Sequence, residues 1–272
     1  MNPKIHLAGV WCGVFFLVSF ILGFWLLADF LPPHSPAANA TEIAGIYKAN
    51  DSGIRLGMVL MMAAGAFYLP WTVTLSILVR KMEGKLNFLS QCQLIGGLAA
   101  SMFYILPALI FEVAAFRPNR DPNLILLISG AAWIFTVTPI PPFYVQFAPL
   151  IVAIFIDSSK PKVFPRWMGF ATLWASILFA PGMTAFFFKT GPFAWDGLIA
   201  FWIPVIVFVL WEIALMALAW RHISDTTRSS NVLPYVGSRK WIRSGSSTVW
   251  CTTSRSWRTT DTGSRRKGKN PA

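Results

Sequence analysis

Glu212 is the one charged residue in the run from Gly197 to Trp220. It stands nine residues before Arg221, which on a helix is about 13 Å from the charge that ends the run. A carboxylate so deep in an apolar segment is costly; such acids pair with a cation, face water or hold a proton. Gln146 stands eleven residues before Asp157, at a comparable depth. Thr72, Ser101 and Ser176 fall in the same layer on the same reckoning. A carboxyl, a carboxamide and three hydroxyls could bind a proton or a small polar solute. The same groups could equally serve as structural hydrogen bonds between helices.

A second set lies near the opposite ends of the apolar runs: Asp29, Arg55, Glu112 and Arg117, with Lys189 and Asp196 beside them. Opposite charges at neighbouring helix ends can pair, or simply stand in the interface. Other chemistries are disfavoured. The three histidines, His6, His34 and His222, all lie outside the apolar runs, which argues against paired haem ligands within a bundle. Cys12, Cys92, His6 and His222 match no zinc spacing. The chain has no GxxxxGK[ST], HExxH or GxSxG motif and no lysine deep in a run, so no cofactor or metal is expected and an enzymatic role is disfavoured.

These residues sit on elements of one kind. The 272 residues are 55% hydrophobic and 12% charged, about half the charged fraction usual for a soluble domain. The apolar residues come in six blocks, about 8–31, 54–79, 91–116, 123–156, 167–188 and 197–220. Each is long enough to cross a bilayer core as a helix, and no ten-residue alternation suggests a barrel. The expected fold is all-α, a polytopic bundle of six transmembrane spans. The first block exceeds a signal-peptide core in length and reads as an uncleaved anchor. Lys4, then Arg80, Lys81 and Lys85, then Lys160, Lys162 and Arg166, then Arg221 alternate with spans so as to share one side. The positive-inside rule makes that side cytoplasmic, with both termini inside.

Proline interrupts five spans. Pro70, Pro107, Pro181 and Pro204 fall in spans two, three, five and six, and span four carries Pro139, Pro141, Pro142 and Pro149. Each frees a backbone carbonyl and favours a kink. Proline is frequent in membrane helices generally, but interrupted spans also recur where transporters bind their substrates. Between spans one and two, Asn39 to Asn50 reads as a short helix with a capping box, Asn39 to Glu42, either lying on the membrane surface or covering an outer pocket. Gly9 with Gly13, and Gly96 with Ala100, have the spacing of close helix contacts.

After Trp220 the composition changes. Residues 222–272 hold ten basic and two acidic residues, a net +8 of the chain's +12. Without periodicity that could bury a core, this segment is expected to be a disordered cytoplasmic tail distinct from the membrane domain of residues 1–221. Its charge suits anionic headgroups better than nucleic acid, for which no binding module is visible. Such an abrupt Ser, Arg and Thr-rich change is also what a shifted reading frame yields.

Several stretches, among them Pro33-His34-Ser35-Pro36, Gly53-Ile54-Arg55-Leu56-Gly57, Phe116 to Pro122, Phe164 to Gly169 and Phe188 to Trp195, together resemble a group of uncharacterised bacterial multi-pass membrane proteins. The resemblance covers about residues 5–221. It implies a bacterial inner membrane and carries no activity with it. The sequence leaves two main functional readings. One is binding or passage of a small apolar or weakly acidic molecule; the other is an accessory subunit packing against a membrane protein partner or a second copy. Beyond these, the lipid bilayer is the expected partner.

Overall fold

In the computed structural model, backbone structure is described for residues 3–85, 87–236, 241–244 and 247–250, and side-chain surroundings for residues 4–85 and 87–228. Among these residues six helical segments are long and apolar enough to cross a membrane: Lys4–Leu27, Asp51–Glu83, Phe88–Ala115, Pro122–Ile156, Arg166–Phe187 and Leu198–Arg228. The expected six-span helical bundle is what the chain forms.

Span one is α1 (Pro3–Ile21) followed by a π-helical segment (Leu22–Leu27). A short helix, α2 (Ala40–Ala49), then precedes span two, α3 (Asp51–Glu83). The capping box of α2 is present: Asn39 Oδ1 accepts from Glu42 N at 2.9 Å, and Asn39 N donates to Glu42 Oε2 at 3.0 Å. Its Ile43, Ala44 and Tyr47 are buried, so α2 packs on the bundle through one face. Asn50 joins α2 to span one by donating from Nδ2 to the Leu27 carbonyl at 3.0 Å.

Span three is α4 (Phe88–Ala115). Its start is tied to the end of α3 by Glu83, whose carboxylate accepts from Leu89 N at 2.7 Å, from Ser90 N at 3.1 Å and from the Ser90 hydroxyl. Span four is two helices, α5 (Pro122–Val137) and α6 (Pro141–Ile156). Prolines 139, 141 and 142 withdraw three N–H donors in four positions and restrict the residues before them, so the helix cannot run through; Pro141 and Pro142 then occupy the first turn of α6, where no donor is needed. Pro70, Pro107 and Pro149 are accommodated inside α3, α4 and α6.

Span five is α7 (Arg166–Phe179), which tightens into a 3-10 segment (Ala180–Phe187) at Pro181. Span six opens with a π-helical segment (Leu198–Trp202) and continues as α8 (Ile203–Val236). The helix thus continues beyond the apolar run that ends at Trp220.

Close helix approach rests on glycine. A Cβ on Gly13 would meet Met216 Sδ at 2.8 Å and the Trp71 ring at 3.1 Å, and one on Gly96 would lie 2.5 Å from Gln146 N. Gly9 abuts Thr74 in the same way. Gly23 and Gly57 face each other backbone to backbone: a Cβ on either would collide with the other's carbonyl oxygen.

The chain divides into compact units at Asp225/Thr226, near the expected boundary at 221/222. The expectation of a disordered tail falls on this second unit, of which residues 226–236, 241–244 and 247–250 are described. The unit is helical to Val236, and β1 (Trp241–Ser244) pairs antiparallel with β2 (Ser247–Trp250). Residues 251–272 lie outside the described residues.

Candidate ligand cavity and the polar groups beside it

Two aromatic-rich clusters fill the bundle. One surrounds Phe16, Tyr68, Trp71, Phe147 and Trp211; the other surrounds Phe24, Phe30, Phe111 and Trp133. At their seam lies a cavity of about 80 Å³. Its wall is apolar apart from the hydroxyls of Tyr104 and Thr136, and the Thr136 hydroxyl donates to the Ala132 carbonyl at 2.8 Å.

Every interruption of α-helical geometry in the spans meets this cavity. Span one changes to π-helix after Ile21, between the wall residues Phe20 and Phe24. Span four breaks between Val137 and Ile140, both in the wall. Span five changes to 3-10 helix after Phe179, also in the wall. Span six changes from π to α between Phe201 and Pro204, again in the wall. Irregular turns cannot stack side chains at the regular spacing that interdigitation needs, so a packing defect collects where four of them share a level.

Buried polar groups lie one turn from the cavity. Tyr68 donates its hydroxyl to Gln146 Oε1 at 2.8 Å, joining α3 to α6; Gln146 Nε2 makes no hydrogen bond within the protein. The Tyr68 ring is 5.6 Å from that of the wall residue Tyr104. Glu212, one turn beyond the wall residue Phe208 on α8, is 0% exposed, and neither carboxyl oxygen has a hydrogen-bond partner. It is within electrostatic range of Tyr68 and Tyr104. The Trp71 indole is close enough to interact with it, but the pair is not aligned for a hydrogen bond, since Trp71 Nε1 is also unpartnered. Glu212 thus faces neither a cation nor solvent.

The five candidates named from sequence do not assemble into one layer. Gln146 and Glu212 come together around Tyr68. Thr72 instead accepts from Gln93 Nε2 at 3.1 Å. Ser101 and Ser176 donate to carbonyls of their own helices, Leu98 and Thr172, at 2.7 and 2.8 Å. None of the five lines the cavity. Near the opposite end, Arg55 pairs with Asp51 at 3.0 Å, within its own helix, while Glu112 senses Arg55 electrostatically. Arg117 stands 6.0 Å from the Phe116 ring. Asp29 adopts a left-handed φ of 55° and acts electrostatically on His34.

His34 completes an aromatic box there. Its ring lies 4.9 Å from Phe30 and 5.7 Å from Trp133, and its carbonyl accepts from Trp195 Nε1 at 2.8 Å. Nδ1 has no partner, and burial pulls the imidazole pKa down to about 4, against a smaller upward pull from Asp29. No group of residues that could hold a metal ion occurs among the described residues.

Sequence reasoning missed Tyr68, Trp71 and Tyr104. Aromatic residues deep in apolar runs gave no contrast that would have marked them.

Fold and site together define a multi-pass α-helical membrane protein with an apolar cavity between its helices. No protein-family model, curated protein or solved structure matches the chain.

Proposed function

We propose that this protein binds, and through the same route passes, a small apolar or weakly acidic molecule inside the bilayer. The observation that carries this reading is the coincidence of the cavity with the interruptions in four of six spans. A cavity of about 150 Å³ holds benzene, so this one, at about 80 Å³, accepts a smaller group as it stands. A larger guest requires its walls to move, and broken helices move at lower cost than continuous ones. Tyr104 would meet the polar end of a weak acid, with the unsatisfied Glu212 carboxyl one turn further on. The reading takes the basic end as cytoplasmic and, on the resemblance of residues 5–221, the membrane as a bacterial inner membrane.

Photolabelling of the purified protein in nanodiscs with a short alkyl diazirine tests it. Adducts should map to Tyr104, Phe143 and Phe208, and Ala200→Phe, which fills the cavity, should remove them. Labelling confined to lipid-facing residues such as Leu98 and Ile213 would favour the accessory-subunit reading instead.

A further inference from the structure

We propose that the basic end of the bundle holds a binding site for the phosphate headgroup of an anionic phospholipid, at the corner where α3, α8 and the α6–α7 loop meet. Three separate segments converge there on one ring. Lys81 Nζ, at the end of α3, is 2.8 Å from His222 Nε2 on α8. The same imidazole lies close enough to the backbone of Lys162, in the loop, to interact with it. The loop that carries Lys160 and Lys162, with Arg166 at the start of α7, is thus brought to the same corner as Lys81 through Lys162.

The acids of this end do not cancel those cations. Glu83 is turned inward and accepts from the first turn of α4. Asp157 is buried and accepts from Ser159 N at 2.8 Å and Val163 N at 2.9 Å. Asp225 pairs with Arg221 at 3.8 Å. Asp157 and Asp225 act on His222 electrostatically and temper the local potential. Yet Arg80, Lys81, Lys85, Lys160, Lys162 and Arg166 are all exposed, and none has a carboxylate ion pair among the described residues. The opposite end has no comparable excess: Lys48, Arg55, Arg117, Arg120 and Lys189 face Asp29, Glu42, Asp51, Glu112, Asp121 and Asp196.

Lipid is the occupant because of what flanks the corner. Trp220, adjoining Arg221, is 39% exposed and stacks edge-on against the 50% exposed Trp11 at 5.5 Å. Trp167, adjoining Arg166, is 53% exposed. Indoles at this level sit among headgroups, which puts the lysines within reach of phosphate oxygens while the acyl chains run down the apolar face of α3 and α8. An acidic soluble protein would gain nothing from those indoles.

The test uses the full-length chain in mixed micelles, comparing phosphatidylglycerol with phosphatidylcholine at equal mole fraction, read by melting temperature and by lipids retained in native mass spectrometry. Phosphatidylglycerol should raise the melting temperature and remain bound. In Lys81→Gln/Lys162→Gln/Arg166→Gln the apparent affinity should fall on the order of 10- to 100-fold, whereas Lys48→Gln/Arg120→Gln/Lys189→Gln at the other end should match wild type. Lys162→Gln/Arg166→Gln, which keeps the Lys81–His222 contact, should show an intermediate loss and guards against a folding defect in the triple variant. The proposal is overturned if phosphatidylglycerol acts equally on both triple variants, or if millimolar inorganic phosphate with phosphatidylcholine reproduces the full effect.

Discussion

The Tyr68 hydroxyl reaches from α3 to Gln146 on α6 across 2.8 Å, and both residues are fully buried. In a low-dielectric interior such a bond is strong, and leaving either partner without it is costly. It is also the closest tie between the polar groups and the cavity, because the Tyr68 ring packs on Tyr104.

Tyr68→Phe should lower stability by about 1–3 kcal/mol, since it leaves Gln146 wholly unsatisfied. Gln146→Leu should cost a similar amount by stranding the tyrosine hydroxyl. The double variant should cost clearly less than the sum, and a thermal-unfolding double-mutant cycle measures the coupling. Additive losses would mean that the bond contributes nothing.

Glu212 behaves differently, because its oxygens have no partner to lose. Glu212→Gln and Glu212→Leu should both fold, with melting temperatures equal to or above wild type. A loss above about 2 kcal/mol in the leucine variant would reveal a buried partner and refute the orphan geometry. Loss of diazirine labelling in either folded variant would tie the carboxyl to the ligand.

Glycine positions make a paired prediction. Gly57→Ala drives a methyl into the Gly23 carbonyl, backbone against backbone, and should cost about 1–3 kcal/mol or more. Gly45, within α2, has open space around its Cβ position. Gly45→Ala should therefore stabilise by about 0.5–1 kcal/mol through helix propensity. Melting temperatures of the two variants should move in opposite directions.

His34 sets a pH dependence. Its folded pKa of about 4 lies below the ordinary value near 6.5, so the opened loop binds the proton more readily than the closed one. Stability from this residue is full above pH 6.5 and is lost as pH falls towards 4, by up to about 3 kcal/mol. Hydrogen-exchange protection of the 28–39 segment, corrected for the intrinsic pH dependence of exchange, should fall over that window in wild type and stay flat in His34→Asn.

The spans were legible because length and apolarity alone define them, and the break in span four because three prolines leave no alternative. The capping box of α2 was legible for a local reason: Asn39 and Glu42 need only each other. The interior was not. In a soluble helix the buried face announces itself by contrast with polar residues, but here Phe15, 52% exposed towards lipid, and Phe16, 0% exposed, are the same residue type side by side. Polarity ranked Ser101 and Ser176 as highly as Gln146, although a hydroxyl can satisfy itself on its own helix and a carboxamide cannot. The π segment of span one left no composition signal, while Pro181 and Pro204 marked spans five and six as interrupted without showing where the resulting space would lie.

The seam between the two aromatic clusters also gives the bundle a mechanical property. Eliminating about 80 Å³ of void corresponds to roughly 50 mL/mol, within the range over which pressure acts on protein interiors. Each kilobar then favours the collapsed form by about 1 kcal/mol. Lateral tension in the surrounding bilayer acts instead on the cross-sectional area of the bundle, which grows when the helices part, so stretching the membrane and loading the cavity with a guest should push the helices the same way.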